Sequence, residues 1–414
     1  MNIENRDREI LRDLAGRVRE IAEQPEMARR KERWYRHNAL ESERPMVLCF
    51  PEGAWNELLP RDSMECSNEK MRQWEWRLRS KIYWWEHIRD DNTLESYFDL
   101  NWHVSIGDYG VSVPYTYGEG KGSYTWEPPL KDLAKDIDKL HFRELSVDRK
   151  LTQKNLALAD ELFGDLLKPR IRGSFWWTMG LTWEAIKLIG LEKLMLFTYD
   201  QPEQLHRLLE WLSKEHMHFI RWFEREGLLS LNNEDGYTGS GGVAYTHELP
   251  QSDGKAGSHV RLKDLWGFSE SQETVGISPD MLGQFIFPYQ LPLLEQFGLN
   301  CYGCCEAVHE RWDYIKQVPN LRRVSVAPWC NERIIAEKLK NNYIYSRKPN
   351  PAPLCVGFDE SSIRSDIRKT LEVARGCNIE IIMKDTHTVE KEPSRITKWV
   401  EIAFEEIQNN LSKY

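Results

Sequence analysis

Short β-rich runs alternate with amphipathic helical runs along most of this chain, and that alternation narrows the fold more than any other feature. Eight candidate strands stand out: MVLCF (46–50), YFDLNWHVS (97–105), RIRGSFWW (170–177), LLSLNN (228–233), GLNCYG (298–303), LRRVSVAP (321–328), NYIYSRK (342–348) and NIEIIMKD (378–385). Most are followed by helical stretches such as 201–226, 278–297, 307–317 and 359–375, where apolar residues recur at helical spacing. Repeated strand and helix with eight strands predicts an α/β fold whose parallel sheet closes into a (β/α)8 TIM barrel. An open doubly wound sheet competes with it, but that fold wants a G-x-G-x-x-G turn between strand and helix. The nearest approach, Gly118-Glu-Gly120-Lys-Gly122, runs into Trp-Glu-Pro-Pro and reads as a loop.

Near the amino terminus, Ile10, Leu11, Leu14, Val18 and Ile21 lie at helical spacing among charges, so residues 1–44 read as a helical extension outside a barrel spanning 45–414. Two long interruptions, 106–140 and 234–258, are expected as lids or binding loops; the second contains Gly239, Gly241, Gly242 and Gly254. The net charge of −9 and the absence of a basic run argue against a nucleic-acid partner. No run approaches the ~20 apolar residues needed to cross a bilayer. The charged start MNIENRDREILRDLAGRVREIAEQ has no apolar core of a signal peptide, so a cytoplasmic location is expected. In that compartment eight cysteines argue for metal or reactive thiols over disulfides.

The densest chemistry lies in LNCYGCCEAVH, residues 299–309, which holds Cys301, Cys304, Cys305, Glu306 and His309. Adjacent thiols at a strand-to-helix turn point to a thiolate metal site, with zinc the metal that suits these ligands. The plainer reading packs Cys301 in the core and leaves Cys304 and Cys305 capping a loop. A barrel gathers its chemistry at the carboxyl ends of the strands. There the sequence offers Asn232, Asn233, Glu234 and Asp235, then Asp264, Glu270, Gln272 and Glu273, then Arg347, Lys348 and Asn350, and finally Lys384, Asp385 and His387. Catalytic zinc takes three protein ligands and keeps one open position; Cys304 or Cys305 with His387, and Glu306 or Glu270 as the oxygen ligand, would satisfy it. His309 is expected at a helix surface or cap. Glu270 and Asp235 are candidate catalytic carboxylates, and Arg347 a candidate clamp for an anion. The chain holds 17 tryptophans. Such a surplus lines pockets as well as cores, so Trp176 and Trp177, with Tyr302 and Asn350, are candidate substrate contacts.

The segments GISPDMLGQFIFPYQLPLLEQFGLNCYGCCE and RGSFWWTMGLTWEAIKLIGLEKLMLFTYDQPEQLHRLLEWL, with Ser346-Arg-Lys-Pro-Asn-Pro351, resemble the uroporphyrinogen decarboxylase superfamily. Within it the chain is similar to the corrinoid-dependent methyltransferase branch, over about residues 165–410. Decarboxylase members hold porphyrinogen carboxylates with arginines at the first strand end; here that end reads Cys49-Phe-Pro-Glu-Gly-Ala, so decarboxylation is not expected. Methyltransferase members bind zinc through a His-x-Cys pair and a cysteine after the last strand. In this chain the histidine position falls at Tyr302 or Gly303, and the last strand offers His387. The resemblance implies a zinc-dependent methyltransferase that moves a methyl group between a small substrate and a corrinoid. No Asp-x-His-x-x-Gly motif is present, so the corrinoid would reside on a partner protein docked over the long loops. Zinc would either activate a thiol acceptor or polarise the oxygen of a methyl ether, and the tryptophan surplus favours a methoxylated aromatic substrate. Two alternatives stand beside it: a carbohydrate hydrolase using barrel carboxylates, and a non-catalytic relative that binds a metal or small molecule.

Overall fold

The computed structural model describes residues 3–117, 124–252 and 259–410. Six strands form one parallel sheet: β1 (Met46–Cys49), β8 (Trp266–Ser269), β9 (Leu299–Tyr302), β10 (Leu321–Val326), β11 (Ile344–Arg347) and β12 (Asn378–Met383), in the order β1-β12-β11-β10-β9-β8. A separate parallel pair joins β2 (Tyr97–Leu100) to β7 (Lys168–Ile171). Two antiparallel pairs, β3 (Val104–Ile106) with β6 (Leu145–Val147) and β4 (Tyr115–Tyr117) with β5 (Tyr124–Trp126), decorate the chain between them. The α/β class and the parallel sheet agree with the sequence reading. The closed eight-stranded ring is not what the ladders draw.

Side chains explain why the ladders stop. The run 228–233 was expected as a strand, yet it makes no ladder. Instead Asn232 Oδ1 accepts from Trp266 N at 2.9 Å and its Nδ2 donates to Trp266 O at 3.0 Å, which satisfies the outer edge of β8. Ser230 Oγ in turn accepts from Gly173 N at 2.9 Å, just beyond β7. At the opposite edge, Asp91 Oδ2 accepts from Val47 N and Asp90 Oδ2 from Cys49 N, so β1 also ends against side chains. Buried backbone donors must be paired, and here carboxylates and an amide substitute for neighbouring strands.

The sequence reading placed no strand at 266–269, yet all four residues of β8 are buried. It also extended one strand over 170–177, whereas β7 stops at Ile171 and leaves Trp176 and Trp177 outside the sheet. The amino-terminal stretch is two helices, α1 (Asn5–Ala22) and α2 (Pro25–Asn38), divided where Pro25 can only begin a helix. The end of α2 is not peripheral. Trp34, His37 and Asn38 are fully buried, and Asn38 Nδ2 donates to the carbonyls of Val243 and Tyr245.

The described part of the 234–258 loop is likewise internal. Val243 and Tyr245 pack with Trp34, Met46, Leu48 and Ile382, and Ala244 packs with Trp266, Phe268 and Cys301. Glycine permits this threading: Gly239 has φ +63° and an added Cβ would lie 2.9 Å from Cys301 Cβ, while at Gly242, with φ +145°, one would lie 2.8 Å from Arg323 Cζ. The loop expected as an external docking platform fills the space between the strands. Gly118, Gly120, Gly122 and Gly254 lie outside the described residues. No helix among the described residues is long and apolar enough to cross a membrane.

Candidate functional site

Strand β9 ends at Gly303, whose φ of +92° turns the chain sharply into Cys304, Cys305 and Glu306. Glu306 fixes that turn. It is fully buried, Oε2 accepts from Cys304 N and Oε1 from Ser271 N, each at 2.8 Å, so its carboxylate ties the thiol loop to the end of β8. The sulfurs of Cys304 and Cys305 lie 3.7 Å apart, Cys304 partly buried and Cys305 exposed. Ser240 Oγ donates to Cys304 Sγ at 3.3 Å. The Cys304 thiol is pushed up by its contact with Cys305 and by burial, and Cys305 is drawn down because the Cys304 S–H donates to it. Cys305 is therefore the readier thiolate.

Glu270 stands at the end of β8 with no exposed surface. Its Oε2 accepts from Gln272 N at 3.0 Å, while Oε1 is buried without a partner. Space for Oε1 exists because residue 180 is glycine: an added Cβ would lie 2.5 Å from it. Burial, then Glu273 and Glu306, push the Glu270 carboxyl well above the usual range, and Cys304 adds to the effect.

A second group lies where β12 meets the end of β1. Lys384 Nζ donates to Tyr237 Oη at 2.6 Å and stands 3.2 Å from Glu52 Oε1. Burial pulls the Lys384 ammonium down, but Tyr237 and Glu52 outweigh it and hold the lysine above its usual range. Tyr237 is pushed up by burial and drawn back by Lys384. Ligand atoms of Glu52, Asp385 and His387 all lie within 4.8 Å of one another.

A cavity of about 660 Å³ opens beside these groups, walled by Trp176, Trp177, Phe268, Tyr237 and Arg172 among others. Trp177 is 45% exposed and lies 5.2 Å from the Phe268 ring; an indole so open to solvent is not core filler. Cys304 packs on the apolar cluster that contains the cavity residues Trp266 and Phe268. Tyr237 bridges the other side, lining the cavity while bonded to Lys384.

Several expected site residues face elsewhere. Arg347 is buried among Glu332 at 3.3 Å, Asp366 at 3.0 Å and Thr370, on the helix-covered face of the sheet, so it is not a clamp at the strand ends. Tyr302 is buried with its hydroxyl on Gln290 and Ser271, away from the cavity. Asn350 is exposed, its Oδ1 accepting from Ala352 N at 3.0 Å as a turn cap. His309 accepts from Asn331 N, as a cap residue would. Asp235 is the ion-pair partner, at 2.6 Å, of the cavity residue Arg172. Of the expected metal ligands, His387 groups with Glu52 and Asp385, and both oxygens of Glu306 already accept backbone N–H. The sequence reading did not identify Tyr237, Glu52 or Arg172.

No family model matches the chain, and no curated protein matches it. Among solved structures it is similar to a methyltransferase from Methanosarcina mazei, at 11% identity, with 91% of this chain and 99% of that one covered and a TM-score of 0.48. A likeness this remote carries no argument about what this chain does.

Proposed function

We propose that this chain is a methyltransferase that moves a methyl group between a small methoxylated aromatic substrate and a corrinoid carried on a separate protein, with zinc held at Cys304 and Cys305. The observation that supports it most is the thiol pair at the end of β9, packed through Cys304 on the apolar cluster whose Trp266 and Phe268 line an aromatic cavity. The donor set fits zinc. Two thiolates at about 2.3 Å from a tetrahedral centre stand roughly 3.8 Å apart, and these sulfurs are 3.7 Å apart. Glu270 Oε1, buried without a partner and near enough to Cys304 for their charges to repel, is the natural oxygen donor. Zinc there would supply Lewis acidity to an ether oxygen or an acceptor thiol.

The remaining work falls to the chain itself. Trp177 and Phe268 offer flat apolar faces to an aromatic ring. Lys384 donates to Tyr237 Oη, which leaves the phenolic proton free to pass to an oxygen departing from its methyl group. Ser240 orients Cys304, and Glu306 holds the loop that carries both thiols. The same reading takes the scaffold as a barrel whose ring is completed through the side chains of Ser230 and Asn232.

Metal content of protein purified without added metal tests the assignment. Near-stoichiometric zinc is expected in the native chain and in His387→Ala, with loss in Cys304→Ser, Cys305→Ser and Glu270→Gln. Zinc lost from His387→Ala would restore the histidine to the ligand set. A native protein that holds no zinc and takes none up on reconstitution would sink the proposal.

A further inference from the structure

One wall of the cavity carries a cation whose hydrogen bonding is incomplete. Arg172 Nη1 pairs with Asp235 Oδ1 at 2.6 Å and Asp99 Oδ2 at 3.3 Å, but its Nη2 is buried with no acceptor. Behind it Arg170 repeats the pattern: Nε on Asp99 at 2.5 Å, Nη1 on Glu234 at 2.8 Å, and Nη2 buried and unpaired. Two further cations reach this network with only backbone acceptors, Lys81 on the Tyr97 carbonyl at 3.3 Å and Arg77 on the Asp99 carbonyl at 2.5 Å. Arg77, Lys81, Arg170 and Arg172 thus face Asp99, Glu234 and Asp235, four positive charges against three negative. Nearby Glu95 does not change the balance, because it is paired with Lys31 at 2.6 Å. The network therefore carries one more positive than negative charge, and at the cavity wall, which Trp177 shares, Arg172 keeps a spare guanidinium donor.

We propose that the cavity binds a planar aromatic monocarboxylate, its carboxylate on Arg172 Nη2 and its ring against Trp177 and Phe268. This rests on the reading of the cavity as the substrate site and names the class of substrate. A carboxylate satisfies a guanidinium in the plane of its donors, and beside Asp99 and Asp235 a monoanion is repelled less than a phosphate dianion. The volume suits a one-ring acid within the usual range of small-molecule pockets. Residue 236 stands against that nitrogen: it is glycine, and a Cβ placed there would lie 2.6 Å from Arg172 Nη2.

Calorimetric titration of the native protein with 4-methoxybenzoate, its neutral amide and phenyl phosphate tests this without any turnover. The acid is expected to bind about tenfold or more tightly than the amide, and more tightly than phenyl phosphate. That preference should disappear in Arg172→Met. It should shrink in Gly236→Ala, which crowds the donor and leaves the ion pairs in place. In Trp177→Ala both acid and amide should weaken together. Equal binding of acid and amide by the native protein, no binding of either, tighter binding of phenyl phosphate, or a preference that survives both Arg172→Met and Gly236→Ala would overturn the proposal. Zinc measured on the same samples separates the two readings. Acid preference in protein that takes up no zinc keeps the ligand and loses the methyl transfer, and the converse result does the reverse.

Discussion

Arg323 and Arg172 are both ion-paired arginines with one buried nitrogen outside any hydrogen bond, and they differ in what that nitrogen faces. Arg323 is 1% exposed; Nη2 donates to Asn38 Oδ1 at 2.7 Å, Nη1 faces Cys301 Sγ at 3.8 Å, and Nε, though not aligned for a hydrogen bond, is ion-paired 2.9 Å from Glu380 Oε1. Glu380 is completed by Ser346 and by His37 Nε2 at 3.0 Å. Because Glu380 can only accept, the imidazole proton sits on Nε2, and Nδ1 accepts from Ser42 Oγ at 2.6 Å. Arg172 spends its Nη1 on two aspartates and leaves Nη2 unpaired at a cavity wall. A network in which even the unbonded nitrogen lies against a carboxylate ties the end of α2 to β10 and β12 and serves the fold, whereas a nitrogen with no carboxylate against it beside a void serves a ligand.

The largest effect should come from breaking the Arg323–Glu380 network. Arg323→Met strands Glu380 and is expected to cost about 3–5 kcal/mol in urea denaturation, with acid binding in whatever remains folded unchanged. Loss of acid binding at unchanged stability would erase the distinction. The same network sets a pH dependence. Burial pushes Glu380 up, but Arg323 first and then His37 and Lys348 overcome it, holding the carboxyl down at about 2 against a usual value near 4.5. A group depressed in the folded state stabilises above its unfolded pKa, and that stability is lost as pH falls through 4.5 toward 2; here it amounts to about 3 kcal/mol. Burial also depresses His37 below its usual 6.5, so its share is lost earlier, as pH falls below 6.5. Urea midpoints should therefore fall steadily from pH 7 to 4, and Glu380→Gln should flatten the lower part of that curve.

The sequence revealed these networks unevenly, and the reason is largely one of parity. Successive strand residues face opposite sides. Once Cys301 is known to point inward toward Gly239 and Arg323, Tyr302 must point outward, and by the same count Ser346 faces Glu380 while Arg347 faces the helices. Strand positions were legible because apolar runs mark them, but the side of each residue was not applied to the candidate site. The strand WGFS was hidden by its brevity and its polar flanks, and LLSLNN looked like a strand because Ser230 and Asn232 do their bonding through side chains, which no periodicity reports. The thiol pair could be read directly, since adjacency in sequence placed it. Tyr237, Glu52 and Arg172 come together only through the inward path of the 234–252 segment and the approach of β12 to β1, contacts between residues far apart in the chain.

Tyr237→Phe sharpens the comparison at intermediate size. The hydroxyl has a proton to give and its Lys384 contact holds it in place, so turnover should fall by about 10²-fold or more while acid binding and the urea midpoint shift little. A stability loss as large as that of Arg323→Met, with turnover unchanged, would move Tyr237 from the chemistry to the fold.

Asn350 should give the smallest effect, and it tests whether spare capacity alone is enough to predict a ligand contact. Its side chain is exposed, and the contact seen is Oδ1 accepting from Ala352 N at 3.0 Å at the start of the short helix Ala352–Cys355. Its amide Nδ2 is free, as the Arg172 Nη2 is, but it faces solvent instead of a buried wall. Water satisfies such a donor at little cost, whereas a buried guanidinium nitrogen gains an acceptor only when a ligand brings one. Asn350→Ala should therefore cost about 1 kcal/mol or less through the lost cap and leave titration with 4-methoxybenzoate unchanged. A clear loss of acid affinity in that variant would mean that an exposed donor contributes as much as a buried one, and the contrast between Arg172 and Arg323 would no longer locate the site.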